Sequence, residues 1–154
     1  MMFSMSATIE DARLILELYD LRREERLREA RDWFVRHFHC NSLADFNALC
    51  PPGSEENGFA RMVTSYWEMV ASFITAGVLD QELFFQSGQE LLLVWTRVKR
   101  FLPELRHYTR NPHSWANLEK VARAYIEYWD RTAPGAYEAF EARMASATPA
   151  RGKG

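Results

Sequence analysis

The densest apolar pattern of the chain lies between Asn57 and Leu102, where the sequence reads NGFARMVTSYWEMVASFITAGVLDQELFFQSGQELLLVWTRVKRFL. Apolar residues in its first half recur at steps of three and four, which places them on one face of a helix with 3.6 residues per turn. They are Phe59, Met62, Val63, Tyr66, Trp67, Val70 and Ile74. Because so broad an apolar face is unfavourable in water, it must be buried against other parts of the protein.

Gly77 and Asp80 predict a short connection to a second helix, since glycine ends many helices and aspartate is a good N-cap. Short links favour antiparallel neighbours, so we expect the second helix to fold back on the first. Its apolar residues are Leu83, Phe84, Leu91, Val94, Trp95, Val98, Phe101 and Leu102. The pattern predicts an antiparallel hairpin whose second arm is the central helix of a bundle. Gly88 falls inside this arm, where glycine costs roughly 1 kcal/mol relative to alanine unless a kink or a close backbone approach uses it.

Helix-start and helix-stop signals divide the flanking sequence into further helices. Thr8 followed by Asp11 predicts a capped start, and an apolar face then runs through Ala12, Ile15, Leu16, Leu18 and Tyr19. The pattern continues to about His37 as one long helix or two collinear helices. Other starts are predicted at Asn41 or Ser42, Ser54, Pro103 and Ser114. We expect an all-α bundle of five to seven helices, with residues 1–145 as a single domain and residues 146–154 as a disordered tail.

Composition and charge narrow the class of protein. The 154 residues suffice for one self-supporting core. The formal net charge of −2 gives no electrostatic basis for binding nucleic acid or an anionic membrane. Because no uncharged apolar run approaches the length of a transmembrane helix, we expect no membrane span. The N-terminal residues lack a signal-peptide pattern, so we expect Cys40 and Cys50 to be reduced thiols of a cytoplasmic protein.

Several local strings resemble a known family. They are Gly77-Val78-Leu79-Asp80-Gln81-Glu82-Leu83-Phe84-Phe85, Trp95, Phe101-Leu102-Pro103-Glu104-Leu105-Arg106, Pro112, Trp115 and Leu118-Glu119. Together they look like a family of small bacterial all-helical proteins whose domain has no known function, and whose members often carry a membrane helix before the domain. The resemblance covers about residues 18–129 and implies a helical fold. It implies no activity and supplies no catalytic residue.

Two carboxylates stand within the apolar hairpin and are candidates for a ligand site. If Glu68 and Glu90 were buried, their pKa values would be raised and either group would be able to act as a general acid or base. Arg97 would supply a cation to the same site. The commoner role for carboxylates in such places is an ion pair with an arginine such as Arg61 or Arg97.

His37, His39 and Cys40 are the nearest approach to a metal-binding cluster. Residues two apart on a helix point to nearly opposite sides, so the two histidines can share a metal only if the helix ends before His39. A structural zinc site uses four ligands, and no second Cys/His pair stands at zinc-site spacing. We therefore predict no metal, no other cofactor and no catalytic residue.

Plentiful apolar stripes and a scarcity of convergent polar groups favour a non-enzymatic function. We expect a bacterial protein-interaction or scaffold domain that self-associates through a surplus apolar face formed by Trp33, Phe34 and Phe38. The alternative is a helical bundle that binds a small molecule or a metal, with or without catalysis, through the hairpin groups Glu68, Glu90 and Arg97. An open pocket of about 300 Å³ or more lined by these polar groups would favour the alternative.

Overall fold

Nine α-helices follow one another through residues 7–146, which are the residues that the computed structural model describes, and no β-strand occurs among them. The helices are α1 (Ile9–Arg22), α2 (Glu25–His37), α3 (Leu43–Leu49), α4 (Glu55–Thr75), α5 (Gln81–Phe85), α6 (Gln89–Val98), α7 (Leu102–Thr109), α8 (Ala116–Thr132) and α9 (Ala136–Ser146). The all-α prediction is confirmed. The expected number of helices is too low: segment 80–102 forms two helices instead of one, and segment 8–37 follows the two-helix alternative. The predicted tail lies outside the described residues except for its first position.

The first helix begins as the sequence predicts. The Asp11 backbone N–H donates to the Thr8 hydroxyl, and the Thr8 backbone N–H donates to the Asp11 carboxylate at 2.7 Å, which completes a capping box. The other oxygen of the Asp11 carboxylate accepts a hydrogen bond from the Asp80 backbone N–H at 2.9 Å. Asp11 therefore caps α1 and also ties it to the start of α5. The predicted caps at Ser42, Ser54 and Asp80 are likewise present.

The second arm of the predicted hairpin is broken between α5 and α6. Gly88 is the N-cap of α6, so it does not lie inside a helix as expected. A β-carbon at Gly88 would stand 2.2 Å from the ring carbon Cζ of Phe84, which is far inside van der Waals contact. The chain needs glycine here because the buried Phe84 ring packs directly against the backbone. Gly77 ends the first arm with a φ of +78°, in the left-handed region where glycine is favoured.

One core draws buried side chains from every described helix except α3. Helix α4 packs most extensively against α2 and α8, and α6 packs against α4, α8 and α9. Seven of the ten residues of α6 are buried, which agrees with its almost continuous apolar sequence. The antiparallel course of the two arms stays a prediction. Within residues 7–146, no helix has both the length and the apolar character that crossing a bilayer requires.

Phe34 and Phe38 are core residues, which corrects the prediction that they form an exposed interface. Their side chains are 1% and 0% exposed, and their rings stack with centroids 4.4 Å apart. Trp33 is partly buried and packs against Phe38 and Phe59. Phe34 and Phe38 are therefore used inside the molecule, and α4 is one of the helices that pack against α2.

Candidate functional site

Glu68 of α4 caps the first turn of α8. Its carboxylate accepts hydrogen bonds from the backbone N–H of Leu118 at 2.8 Å, the backbone N–H of Asn117 at 3.2 Å and the Asn117 side-chain amide at 2.8 Å. The first turn of α8 receives no cap from its own segment, because its N-cap residue is Trp115 at φ +52° rather than the predicted Ser114. Glu68 takes over that role, and a carboxylate at this position also interacts favourably with the helix dipole.

Glu90, at the start of α6, forms a two-pronged ion pair with Arg31 of α2. Nε and Nη2 of Arg31 donate to the carboxylate at 2.8 and 2.7 Å, and Trp67 Nε1 donates to the same group at 3.2 Å. Arg31 Nη1 also donates to the backbone carbonyl of Arg22 at the end of α1. The hydrogen-bonded carboxylate raises the pKa of the Arg31 guanidinium. Glu90 thus joins four helices at one ion pair.

Arg97 of α6 is almost completely buried, with 4% of its surface exposed. Its Nη1 atom donates to three backbone carbonyls at the end of α2, those of Phe34, Val35 and Phe38, at 3.2, 3.2 and 2.8 Å. Its Nε and Nη2 atoms are buried and have no hydrogen-bond partner in the structure. Burial lowers the pKa of this guanidinium. Arg97 therefore caps α2 at its C-terminus while carrying a charge that no carboxylate balances within the described residues.

The three predicted ligand residues therefore do not converge on a shared site. Glu68 contacts α8, Glu90 contacts α2 and α4, and Arg97 contacts the end of α2. Each carboxylate already accepts three hydrogen bonds within the protein, so both act as structural acceptors that connect helices. Of the three residues, Arg97 alone keeps polar atoms without a partner.

His37, His39 and Cys40, which were considered as metal ligands, lie in different surroundings. Helix α2 ends at His37, and the Cys40 side chain is buried while both histidines are exposed. Cys40 and Cys50 are free thiols, and burial raises the pKa of Cys40 to about 12 and that of Cys50 to about 11. Among residues 7–146, no group of three or more His, Cys, Asp or Glu side chains has a geometry that would hold a metal ion.

A cavity of about 110 Å³ adjoins Arg97, where the segment after α2 meets the end of α6 and the side of α9. It is lined by His39, Cys40, Asn41, Thr96, Arg97, Arg100, Glu141 and Ala145. The sequence pattern singled out Arg97 but gave no indication of Asn41, Arg100 or Glu141, because these residues come together only through the packing of α6 and α9 against the segment that follows α2.

Helix α1 carries large apolar side chains on the face that points away from the core. Ile9, Leu16 and Tyr19 are 70%, 66% and 50% exposed, and Ala12 is exposed between them. We call these four residues the outer face of α1. The residues predicted to share one apolar face from Ala12 to Tyr19 therefore lie on two sides of the helix. Leu18 is buried, whereas Ala12, Leu16 and Tyr19 are exposed. The spacing of Ile9 and Leu16, seven residues apart, was the available signal for a second apolar face.

The fold and these contacts define an all-helical domain whose hairpin carboxylates act as structural caps and ion-pair partners. The chain belongs to a family described as a domain of unknown function, DUF4760, whose family model matches residues 7–129. The matched part ends within α8, so α9 lies beyond it. No curated protein and no solved structure matches the chain at a significant level.

Proposed function

We propose that this protein is a non-enzymatic interaction domain that self-associates through the outer face of α1. The observation that carries the proposal is the exposure of Ile9, Leu16 and Tyr19 on one side of a capped, well-packed helix. Single exposed apolar residues are common on protein surfaces, whereas a contiguous stripe of them marks an interaction site. The stripe has the spacing i, i+3, i+7 and i+10, which is the pattern by which one helix packs against another.

A second copy of the chain suits this face because the face is complementary to itself. In an antiparallel pair of α1 helices centred between Ala12 and Leu16, Ile9 of one copy lies opposite Tyr19 of the other. The rise of about 1.5 Å per residue then brings Arg13 within about 3 Å, along the helix axis, of Glu17 of the second copy. Two-fold symmetry repeats this opposite-charge contact on the other side of the axis.

Arg13 can exchange its partner within the monomer for Glu17 of a second copy. Arg13 pairs with Glu10 in the monomer, but both side chains are exposed and such pairs contribute little to stability. Exchanging one exposed partner for another therefore costs little free energy. A single helix face of this length buries less than the roughly 800 Å² per partner of a standard interface. We accordingly expect a dimer that exchanges with the monomer and whose dissociation constant is about micromolar.

The hydrogen bonds made by the two hairpin carboxylates support a non-enzymatic function. Glu68 and Glu90 were the candidates for acid–base chemistry, and both are engaged in hydrogen bonds that connect helices. The buried, free thiols of Cys40 and Cys50 support a reducing compartment, and we propose the cytoplasm. The net charge of −2 favours a protein partner over nucleic acid.

The test compares two substitutions on α1 by size-exclusion chromatography with light scattering. Leu16→Glu places a charge in the middle of the outer face and should leave a monomer at concentrations where the wild type is dimeric. Leu21→Glu is the matched control, because Leu21 is likewise exposed, at 52% against 66% for Leu16, but lies about 140° around the helix from Leu16. The control should dimerise like the wild type. Equal behaviour of the two variants would refute the assignment of the interface to this face.

A further inference from the structure

The cavity beside Arg97 has a positively charged environment. The Arg97 guanidinium forms part of its wall, and Arg100 and His39 lie at its exposed rim. Glu141 is the one carboxylate among the lining residues, and Lys99 forms an ion pair with it. The charge of Arg100 also acts on the Glu141 carboxylate, whereas Arg97 forms no ion pair among the described residues, so the cations around the cavity outnumber its one carboxylate.

The buried charge of Arg97 gives this cavity a preference for anions. Removing a charged group from water is unfavourable unless a group of opposite charge accompanies it, and carbonyl dipoles compensate only in part. Arg97 has three carbonyl partners on Nη1 and none on Nε or Nη2. An anion in the adjoining cavity would supply the missing negative charge at short range, where the low dielectric constant makes the attraction strong.

The rim of the cavity supplies hydrogen-bond donors. Arg100 Nη1 donates to the side-chain carbonyl of Asn41 at 2.7 Å, which holds the exposed guanidinium at the rim. Its other nitrogens make no hydrogen bond within residues 7–146. The Nε and Nη2 atoms of Arg97 have almost no exposed surface. Arg97 therefore acts through its charge, whereas Arg100 and the Asn41 amide group are placed to donate hydrogen bonds directly.

The positive environment also acts on His39. Burial lowers the pKa of its imidazole, and the neighbouring charges of Arg97, His37 and Arg100 lower it further. A neutral imidazole at the rim can donate one hydrogen bond to an oxygen atom of a ligand. These effects agree with a site that is short of negative charge.

We propose that this cavity binds a small oxyanion, with Arg97 as the buried counter-charge and Arg100 as the direct ligand. A volume of about 110 Å³ is somewhat smaller than an engineered apolar cavity of roughly 150 Å³ that admits benzene. Inorganic phosphate, sulfate or a short carboxylate has the right size, and a nucleotide does not fit. The site is independent of the outer face of α1, none of whose residues lines the cavity.

The test is isothermal titration of the whole protein with phosphate, sulfate and acetate, each at constant ionic strength maintained with chloride. We expect saturable binding of at least one of these oxyanions, and the tightest of them identifies the class of ligand. Arg100→Gln should weaken that binding by about tenfold or more, which corresponds to the loss of one charge-assisted hydrogen bond. Arg61→Gln removes the same charge from an exposed position on α4 and should bind like the wild type.

The pKa of His39, measured by NMR, gives a second test. If Arg100 had only a structural role, adding an oxyanion would not shift this pKa. The groups that face this ring are Arg97 and Arg100 from the end of α6, His37 from α2, and Glu141 across the cavity on α9. A bound anion should raise the pKa of His39 in an NMR titration, both in the wild type and in Arg61→Gln. The proposal is overturned if none of the three oxyanions binds more tightly than chloride, or if Arg100→Gln binds as tightly as Arg61→Gln. The test does not depend on variants of Arg97, which would also remove hydrogen bonds from the end of α2.

Discussion

Glu68 caps a helix whose capped residue Asn117 lies 49 positions further along the chain. A local cap is visible in sequence as a serine, threonine or aspartate just before the helix, and Thr8, Ser42 and Ser54 follow that rule. A cap supplied by another helix leaves no such trace. This explains why Glu68 looked like a candidate catalytic group and why Ser114 was wrongly predicted as the cap of α8.

Glu68→Gln should destabilise the protein by about 1–2 kcal/mol, since the amide keeps one accepting oxygen but turns its N–H donors toward other donors. Urea-induced unfolding followed by circular dichroism measures this change. Glu127→Gln, at an exposed position of the capped helix α8 itself, is the control and should change the free energy of unfolding by less than about 0.5 kcal/mol. Equal effects of the two substitutions would show that Glu68 does not cap α8.

Asp11 makes the stability depend on pH. Hydrogen bonds from the backbone N–H groups of Asp80 and Thr8 hold the pKa of its carboxyl below the ordinary value of 3.8. Because the folded-state pKa is lowered, the ionised carboxylate stabilises the fold above that ordinary value, and this stabilisation is lost as the pH falls through the folded-state pKa. Asp11→Asn should therefore be less stable than the wild type at neutral pH, and the difference should shrink in acid.

The measurement for Asp11 is a series of urea unfolding curves from neutral pH down to about pH 3. Asp20→Asn, at an exposed position of the same helix, controls for the loss of one acidic charge. A difference between wild type and Asp11→Asn that stays constant across this range would contradict the assignment of the pH dependence to this carboxylate.

At the scale of elements, the break between α5 and α6 depends on one glycine. The Phe84 ring occupies the place of a Gly88 side chain, and it is itself fixed by edge-on contacts with Trp67 and Tyr125. The sequence identified Gly88 as unusual and named a close backbone approach as one reason for it. The helix break was missed, because the apolar spacing on its two sides is compatible with one continuous helix.

Gly88→Ala should destabilise the protein by about 1–3 kcal/mol, the usual cost of overpacking a core. Gly58→Ala is a matched control with the opposite expected sign. Gly58 lies inside α4 with open space around the position of its β-carbon, so alanine should stabilise the helix by about 0.5–1 kcal/mol. Thermal or urea unfolding of both variants measures the difference. A Gly88→Ala protein as stable as the wild type would mean that the Phe84 ring does not restrict this position.

Features that depend on neighbouring residues were predictable from the sequence, whereas features that depend on the whole fold were not. The caps at Thr8, Ser54 and Asp80 and the left-handed turn at Gly77 rest on local chemistry, and all are present. The direction in which a face points depends on the whole fold. Apolar periodicity placed Phe38 on a stripe, but only its packing against Phe46 and Phe101 in the folded chain decides that this residue is inside. Leu16, on a stripe of the same kind, is outside.

At the scale of the whole molecule, the candidate ligand groups are structural, and the exposed apolar face lies on a different helix from the one predicted. The hairpin carboxylates connect helices, and the exposed apolar face belongs to α1 rather than α2. The candidate ligand Arg97 was identified from the sequence, whereas its neighbours Asn41 and Glu141 lie 56 and 44 positions away and meet it only in the folded chain. Long-range convergence of this kind leaves no periodic signal in one sequence.

We propose above all that the outer face of α1 joins two copies of the chain. Sedimentation equilibrium of the wild-type protein over a wide range of concentrations tests it most directly, because a reversible dimer changes its average mass with concentration. We predict a rise from the monomer mass of 18.0 kDa towards twice that value, and the rise should be absent in Leu16→Glu. A wild-type mass of 18.0 kDa at every concentration would contradict the claim.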